Sequence, residues 1–526
     1  MKKSSKSTSK NEVGFSKEKI IEVLKEIFAN IKKYLIIFGK EIKKFSKKDF
    51  GKFNGTHVLV CGALLVLLFI FVGKGFFTDN DVEYPIVYNN TDGDMFLLDS
   101  KGKSHSNALK LANGESVSNV TYANTTNRYV LFEKNESLYL YDSKEKDETT
   151  QIVSNVSDYW FTEDDKYIVV VDETKNLHIY NYKDTKKVDT EIDTVLDVRG
   201  NKILYEKDNT LYVRDVNPKK DDKLKVSEDY ETLVRFSEDG KNILYINGER
   251  ELYFYNIKKD ESKRIAKNVT TYYCDKESCE SLFYVETDSS KIVYYYDGES
   301  STKIVKDLYS VYAYNTEKQQ IIYTVLENGE YTLYYKQGEN DAVQIESRLH
   351  SIRTVKIFEG KEIYYITGDN EVKYAKIRGE KLDNVKTIGN DVTGFLYPHQ
   401  EGYAFVGNVK DSNSGKLYVA KKGTAKEIDE KVNANFIVVS KSGKRIYYMK
   451  EYEKTGDLYY TTGSKGKLVE KDVYDFEYFK DDLIYLIKDY SSSKSKGTLY
   501  RYTNKTVKVA DDVTRIAPSP VTYEAK

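Results

Sequence analysis

The chain has 526 residues, a formal net charge of −1 and 31% charged residues. This length suffices for one large domain or for two to three ordinary domains. The charge is uneven, because residues 1–56 contain 15 lysines, no arginine and six acidic residues. A basic N-terminal segment indicates that one end of the protein contacts an anionic surface. The apolar segment that follows it favours a membrane over nucleic acid as that surface.

The N-terminal residues predict a tail followed by a helix. Residues 1–15 form a Lys/Ser/Thr-rich tail that is too polar to fold alone. Within residues 16–52, apolar side chains recur at helical spacing from Ile20 to Phe45, and lysines cover much of the remaining surface. This pattern is typical of a cytoplasmic amphipathic helix on the inner leaflet, attracted by acidic lipid. A helix–helix contact with a second copy or with a cytoplasmic partner is the alternative.

Residues 57–77 predict a transmembrane helix. The apolar run begins at Val58 and continues past Lys74, which is enough to cross a hydrocarbon core of about 30 Å if the lysine reaches the interface. A cleaved signal peptide begins close to the N-terminus, so a retained signal anchor fits better. Since 15 lysines precede the span, the N-terminus is expected in the cytoplasm and residues 78–526 outside the cell.

The three cysteines agree with this topology. Cys61 lies in the apolar span, where it acts as a small hydrophobe. Cys274 and Cys279 flank a short polar insert, and a tight turn there would bring the two sulfurs together. Outside the cell such a pair predicts a disulfide, with two free thiols as the alternative. A zinc site would need further ligands, and no histidine is near this pair in the sequence.

A short strand of the form Leu-Tyr-x-Tyr, often followed by Asp or Asn, recurs throughout residues 78–526. A second apolar strand precedes it by about ten residues, as at Asn242-Ile-Leu-Tyr-Ile, after a turn such as Asp239-Gly240. A weak strand such as Lys263-Arg-Ile-Ala closes the unit. Four short strands in about 41 residues is the size of a propeller blade. The eleven copies begin at Met95, Leu138, Leu177, Leu211, Leu252, Val293, Leu333, Val372, Leu417, Leu458 and Leu499.

The predicted fold class is all-β, a β-propeller of about eleven four-stranded blades. Because one ring usually has four to eight blades, we expect two rings, for example of five and six. The longest spacing between copies, 45 residues after Val372, and the shortest, 34 after Leu177, are the candidate irregularities. Residues 511–516 look like a first strand without partners, and we expect them to close a ring against the blade that begins near Tyr84.

The unit from Phe236 to Tyr245 (Phe-Ser-Glu-Asp-Gly-Lys-Asn-Ile-Leu-Tyr), followed by Leu252-Tyr-Phe-Tyr-Asn, resembles the TolB-type or WD40-like propeller repeat. Over residues 82–518 the chain resembles bacterial membrane-anchored propeller proteins, in which this repeat specifies a fold and not an activity. Glu238 replaces the proline usual before the Asp-Gly turn, and the Trp-Asp and Gly-His signatures are missing. Functional residues are therefore not carried over from the resemblance.

No sequence motif of an enzyme is present. The chain lacks a nucleophile elbow, a His-Glu-x-x-His motif, a phosphate-binding loop and a dinucleotide fingerprint. His105, His178, His350 and His399 have no metal-ligand spacing. No catalytic, cofactor-binding or metal residue is therefore predicted, and no cofactor.

Most of the 48 tyrosines follow the strand pattern, so we expect their rings to pack between blades, and the single Trp160 to be a core residue. Tyr397 and Tyr490 lie off the pattern and are the candidates for ligand contact. The predicted function is a non-enzymatic, membrane-anchored, extracytoplasmic binding, scaffold or sensor protein. Its partner would be an envelope protein, peptide or glycan, and not nucleic acid. An extracytoplasmic hydrolase or lyase with a site at a propeller centre is the alternative, and a structural spacer is a third.

Overall fold

The computed structural model describes residues 86–518, apart from residues 93, 99–108, 113–116, 126–127, 143–148, 218, 220–221, 232, 276, 289, 384, 411–412 and 481–482. These residues belong to one compact unit that extends from Asp81 to Lys526. They form 42 β-strands, nearly all of them in antiparallel sheets in chain order. No helix in this part of the chain is long and apolar enough to cross a membrane. The predicted tail, amphipathic helix and transmembrane helix lie outside the described residues.

The strands group into eleven blades, which we number in chain order. Blades 1 to 5 use β1 (Ile86–Asn90), β2 (Met95–Leu98), β3 (Leu109–Ala112), β4 (Val117–Tyr122), β5 (Tyr129–Lys134), β6 (Ser137–Asp142), β7 (Thr149–Val153), β8 (Val156–Phe161), β9 (Ile168–Asp172), β10 (Leu177–Tyr180), β11 (Thr185–Asp189), β12 (Thr194–Arg199), β13 (Lys202–Lys207), β14 (Thr210–Asp215), β15 (Leu224–Ser227), β16 (Val234–Phe236), β17 (Asn242–Ile246), β18 (Leu252–Asn256) and β19 (Glu261–Ala266).

Blades 6 to 11 use β20 (Val269–Cys274), β21 (Leu282–Thr287), β22 (Lys291–Tyr296), β23 (Ser301–Val305), β24 (Ser310–Asn315), β25 (Gln320–Glu327), β26 (Glu330–Gln337), β27 (Val343–Leu349), β28 (Ile352–Phe358), β29 (Glu362–Thr367), β30 (Val372–Arg378), β31 (Lys381–Leu382), β32 (Lys386–Gly389), β33 (Tyr397–His399), β34 (Gly402–Gly407), β35 (Ser414–Lys421), β36 (Thr424–Val439), β37 (Ile446–Lys450), β38 (Gly456–Thr461), β39 (Lys467–Lys480), β40 (Leu483–Ser491), β41 (Lys496–Tyr502) and β42 (Thr506–Ile516).

Blades 2 to 8 are separate sheets, whereas thirteen strands form one continuous sheet that contains blades 9, 10, 11 and 1. In that sheet the long strands β36, β39 and β42 each end one blade and begin the next. All eleven copies of the Leu-Tyr repeat lie on the third strand of a blade, and the apolar run before each copy forms the second strand. The predicted turn at Asp239-Gly240 joins β16 to β17, with Gly240 at φ +66°. This arrangement is that of a β-propeller and confirms the predicted fold class.

The core lies between blades, because the second strand of each blade is buried on both faces. All five residues of β17 are buried. Side chains alternate along a strand, so neighbouring residues face opposite blades. Ile203 packs against blade 3, for example, whereas Leu204 packs against blade 5. A strand between two sheets needs an uninterrupted apolar run, and this is the Ile-Leu-Tyr pattern of the sequence.

Buried tyrosine hydroxyls link neighbouring blades through carboxylates. In three places an acidic side chain on the outer strand of one blade accepts hydrogen bonds from a tyrosine and a lysine of the next blade. A hydrogen bond to an ionised group contributes more than a neutral one, and these carboxylates are only partly exposed. The three sets are Asp189 with Tyr205 (2.6 Å) and Lys223 (2.7 Å), Glu346 with Tyr365 (2.6 Å) and Lys373, and Asp429 with Tyr448 (2.9 Å) and Lys450.

The C-terminal strand joins the last blade to the first. The first part of β42 pairs with β41, and its end pairs with β1, where Tyr88 is opposite Ile516. The amide of Ala517 also donates to the carbonyl of Val87 (2.9 Å). Val513 and Ile516 are buried in a core that contains side chains of blades 11, 1 and 2. The predicted pairing of residues 511–516 with the first blade is confirmed.

The predicted division into two rings is corrected by the core. If the chain formed two rings, the last blade of the first ring and the first blade of the second ring would not share a core. Each of the ten apolar clusters of the described residues instead joins consecutive blades, without a break from blade 1 to blade 11. Together with the pairing of β42 and β1, this makes one closed series of eleven blades.

The closure can be tested with Ile516→Ala in the full chain. We expect the free energy of unfolding to fall by about 2–4 kcal/mol, because the substitution leaves a cavity in the core that joins the first and last blades. Denaturant unfolding followed by Trp160 fluorescence measures this loss. Arg515→Ala, at the neighbouring exposed position, should change stability by no more than about 0.5 kcal/mol. Equal stability of the two variants would contradict the role of β42.

The interblade carboxylates predict a pH dependence of stability. Burial alone would raise the pKa of Asp189, but hydrogen bonds from Lys223 and Tyr205 outweigh it and lower the pKa from 3.8 to about 2. The native state therefore favours the ionised form, and this stabilisation is present above pH about 4 and is lost as the pH falls toward 2. Asp189→Asn should be less stable than the wild type at neutral pH, and the difference should shrink over that acidic range. A constant difference in unfolding free energy across that range would refute the assignment.

Candidate functional site

The first strand of each blade, which we call the inner strand, lies beside the central channel in a β-propeller. In blades 2 to 8 the inner strand pairs with a neighbour on one side only. Its side chains are less buried than those of the second strand, and all six residues of β24 are partly exposed. A molecule in the channel would contact these side chains first.

The inner strands share a β-bulge. In seven blades the register between the inner strand and the second strand skips one residue of the inner strand, which always follows a valine or an isoleucine. A bulge redirects the unpaired side chain, and bulges are over-represented beside functional sites. Because the blades have the same strand order, the seven side chains occupy equivalent positions but differ in chemistry. They are Ser157, Leu196, Thr270, Tyr312, Arg353, Tyr474 and Thr514.

Large apolar side chains are exposed where the inner strands begin. Of the six that are exposed among the described residues, four lie within an inner strand or up to two residues before it, in blades 4, 5, 7 and 9. Phe395, at 63%, is the most exposed. Inner strands run in the same direction, so their starts lie on the same face of the ring. We call this set the apolar rim: Leu196, Leu233, Tyr309 and Phe395.

Charged side chains accompany the apolar rim between blades 4 and 5. A cavity of about 280 Å³ there is lined by Leu196, Arg199 and Arg235, among others. The Arg199 guanidinium donates to Asp197 (2.9 Å) and lies 4.0 Å from Glu163 of blade 3. Burial lowers the pKa of Arg199, but these carboxylates outweigh it and raise the pKa above its usual value. Arg199 therefore stays charged and is held in place, which suits recognition of polar groups.

Tyr397, one of the two predicted contact residues, lies on the inner strand of blade 9. Its hydroxyl donates to the carbonyl of Ala434 (3.0 Å) of blade 10, and burial raises its pKa to about 12. Its ring is 6.2 Å from that of Phe395 between centroids. The hydroxyl thus has a structural role, and the more exposed Phe395 presents the larger surface to a ligand.

Tyr490, the other predicted contact residue, lies on the second strand of blade 11. Its ring stacks on that of Tyr474, with centroids 3.5 Å apart and an interplanar angle of 3°. A hydrogen bond with Tyr490 and then burial raise the pKa of Tyr474 to about 12. Tyr490 therefore supports the bulge residue of its own blade. Tyr397 and Tyr490 belong to different blades, and the described residues show no contact between them.

Sequence reasoning missed all four residues of the apolar rim. Leu233 and Tyr309 immediately precede inner strands, at positions where the repeat otherwise has turn residues, and this departure is the signal that could have identified them. Trp160, predicted to be a core residue, is half-buried on the inner strand β8 and packs against the core between blades 3 and 4. It lies close enough to the inner surface to report on binding there by fluorescence.

The cysteine pair lies behind the inner strand of blade 6. Cys274 and Cys279 are buried, unbonded thiols in the core between blades 5 and 6. The Cys279 thiol donates to the carbonyl of Asp275 (3.1 Å). A hydrogen bond with Cys274, together with burial, raises the pKa of the Cys279 thiol. The disulfide between them stays a prediction. Within the described residues, no group of three or more His, Cys, Asp or Glu side chains is placed to hold a metal ion.

Comparison with known proteins gives likenesses of fold only. No protein-family model and no curated protein matches the chain. The tricorn protease structure is similar with a TM-score of 0.25 and 11% identity, over 84% of this chain and 54% of that chain. Hsv2 of Kluyvelomyces marxianus is similar with a TM-score of 0.27 and 12% identity, over 52% of this chain and 97% of that one. The chain thus spans about half the length of the tricorn protease, and identities this low transfer no activity.

Proposed function

We propose that the chain is a non-enzymatic binding or scaffold protein, anchored in the cell membrane, whose propeller binds an envelope protein, peptide or glycan outside the cell through its inner strands. The observation that carries this proposal is the apolar rim. Monomeric proteins rarely concentrate large apolar side chains on one exposed face unless that face binds something. Aromatic rings stack on sugar faces as well as on apolar peptide side chains, so both kinds of partner suit this surface.

The bulge residues support recognition of an extended partner. Equivalent positions in different blades present hydroxyl, aromatic, aliphatic and guanidinium groups around one channel. A partner that crosses the channel would meet several of these groups at once, and several weak contacts add to one specific interaction. The folded propeller would then act as a scaffold or receptor, with the basic N-terminal segment as membrane anchor or signal relay.

An extracytoplasmic hydrolase or lyase is the second candidate, and Asp475 is the observation that favours it. This carboxyl lies on the inner strand of blade 11, next to the bulge residue Tyr474, and burial raises its pKa. A raised pKa suits a general acid. Its hydrogen-bond donor is the amide of Phe476 (2.9 Å), and the described residues place no histidine or second carboxylate within hydrogen-bonding distance of it. An acid without a base or nucleophile makes the binding role the better supported one.

The binding role can be tested by capture from cell-envelope extracts with the full-length chain as bait. Replacing all four residues of the apolar rim by serine should abolish recovery of the partner, because the exposed apolar contacts are lost. Leu468→Ser is the control, since Leu468 is an exposed large apolar residue but lies on the part of β39 that pairs with β38 as the outer strand of blade 10. Mass spectrometry identifies the partner, and circular dichroism checks that both variants fold.

Equal recovery by the rim variant and the control would refute the inner strands as the binding surface. A bait that recovers neither protein nor glycan would favour the structural spacer. Recovery of cleaved glycan that is lost in Asp475→Asn would favour the hydrolase.

The proposed membrane topology gives a separate prediction for a full-length chain with one epitope tag at each end. Protease added to intact spheroplasts should remove the C-terminal tag and leave the N-terminal tag protected, because the lysine-rich segment stays inside. Immunoblotting measures both tags, and lysed cells, in which both are cut, provide the control. Protection of the C-terminal tag in intact spheroplasts would refute an extracytoplasmic propeller.

A further inference from the structure

Blade 8 departs from the other blades at its outer edge. Its fourth strand is divided into β31 and β32, which pair with different parts of β30. β31 continues the hairpin at Arg378, and β32 pairs with the segment that begins at Val372. Both strands lie within the longest spacing between copies in the sequence, from Val372 to Leu417.

A cleft opens beside this divided strand, between blades 8 and 9. Its volume is about 580 Å³. Alternation along β30 places Lys376 and Arg378 on the same face as the buried Tyr374, which packs against blade 9. Lys386 of β32 and Lys422 of blade 9 complete the lining. We call this the cationic cleft: Lys376, Arg378, Lys386 and Lys422.

A tight turn positions Lys422. Lys422 and Gly423 join β35 to β36 and have φ of 51° and 74°, as in the two-residue turns that fit the twist of a hairpin. A Cβ atom on Gly423 would lie 2.4 Å from the ring of Tyr374. Only glycine therefore lets this turn approach blade 8 so closely. The lysine is thus carried by a rigid hairpin and not by a loose loop.

The positive charges of the cleft outnumber the carboxylates of its lining. Asp383 is the one carboxylate of the lining, and it accepts a hydrogen bond from Nε of Arg378 (2.6 Å). Lys376, Lys386 and Lys422 have no carboxylate within 4.0 Å among the described residues. By contrast, Lys373 on the opposite face of the same strand pairs with Glu346 and with Glu371. Glu362, the cross-strand partner of Lys376, accepts a hydrogen bond from the hydroxyl of Tyr364 (2.8 Å).

We propose that the cationic cleft binds a phosphate group, carried by a small phosphate ester or by a phosphodiester polymer of the envelope. Three ammonium groups that form no salt bridge among the described residues line one cavity and attract a multiply charged oxyanion, and lysines donate to a phosphate from several directions. The volume of the cleft accommodates a phosphate together with a neighbouring polyol or sugar unit. This site lies on the outer edge of the ring, so the inference does not depend on the inner strands.

The test uses the full-length chain and two probes, glycerol 3-phosphate and a synthetic glycerol-phosphate oligomer, with dissociation constants from isothermal titration calorimetry. The variant combines Lys376→Gln, Lys386→Gln and Lys422→Gln. We expect it to bind phosphate roughly tenfold or more weakly than the wild type, and wild-type affinity to fall as salt is added. Tighter binding of the oligomer would identify a polymer as the ligand. Equal affinity per phosphate for the two probes would identify a small ester as the ligand.

The control variant combines Lys258→Gln, Lys259→Gln and Lys306→Gln, which removes the same charge from exposed sites in blades 5 and 6. It should retain wild-type affinity. Equal loss in the two variants would show that only overall charge matters and would overturn the proposal. Failure of the wild type to bind either probe, or equally tight binding of a polycarboxylate of the same charge, would overturn it as well.

Discussion

The pairing of β42 with β1 is the constraint on which the rest of the structure depends. A series of blades that pack only on their neighbours leaves two apolar faces uncovered at its ends, unless the ends meet. β42 supplies the outer strand of blade 11 and the inner strand of blade 1, so one strand covers both ends. Val513 and Ile516 place apolar side chains in the joint core, and the backbone bonds remove an exposed strand edge.

The same requirement explains the composition of the chain. Each second strand is covered on both faces and therefore contains a run of apolar residues, in which tyrosine is frequent. Its ring fills the space between blades, and its hydroxyl reaches a carboxylate of the neighbouring blade, as Tyr205 does with Asp189. The many tyrosines thus serve interblade packing, and the residues available for binding are those that depart from the repeat.

Two such departures carry the proposed interactions, and they lie on opposite edges of the blades. Leu196, Leu233, Tyr309 and Phe395 break the polar pattern at the start of inner strands, whereas the divided strand of blade 8 opens the cationic cleft on the outer edge. A protein that binds one partner in its channel and a phosphate-bearing group at its outer edge would hold the two together.

The repeat of about 41 residues was enough to predict four-stranded blades, their number, and the closing strand at 511–516. These features can be recognised from short stretches of sequence, because the alternation of apolar residues and the turn residues between strands are both local patterns. The number of rings was not predictable, because it depends on whether consecutive blades share a core, and Ile203 and Leu204 look alike in any ring.

The candidate site shows the same limit. Tyr397 and Tyr490 were singled out as off-pattern residues, but only the structure shows that the Tyr397 hydroxyl is bonded to blade 10 and that Tyr490 stacks on Tyr474. The cationic cleft combines residues 376, 386 and 422, whose lysines are ordinary in sequence. The sequence by itself determined the blade, its repeat and its closing strand through local periodicity. Tertiary structure alone decided the single closed series and which side chains meet at a surface, because both depend on contacts between distant parts of the chain.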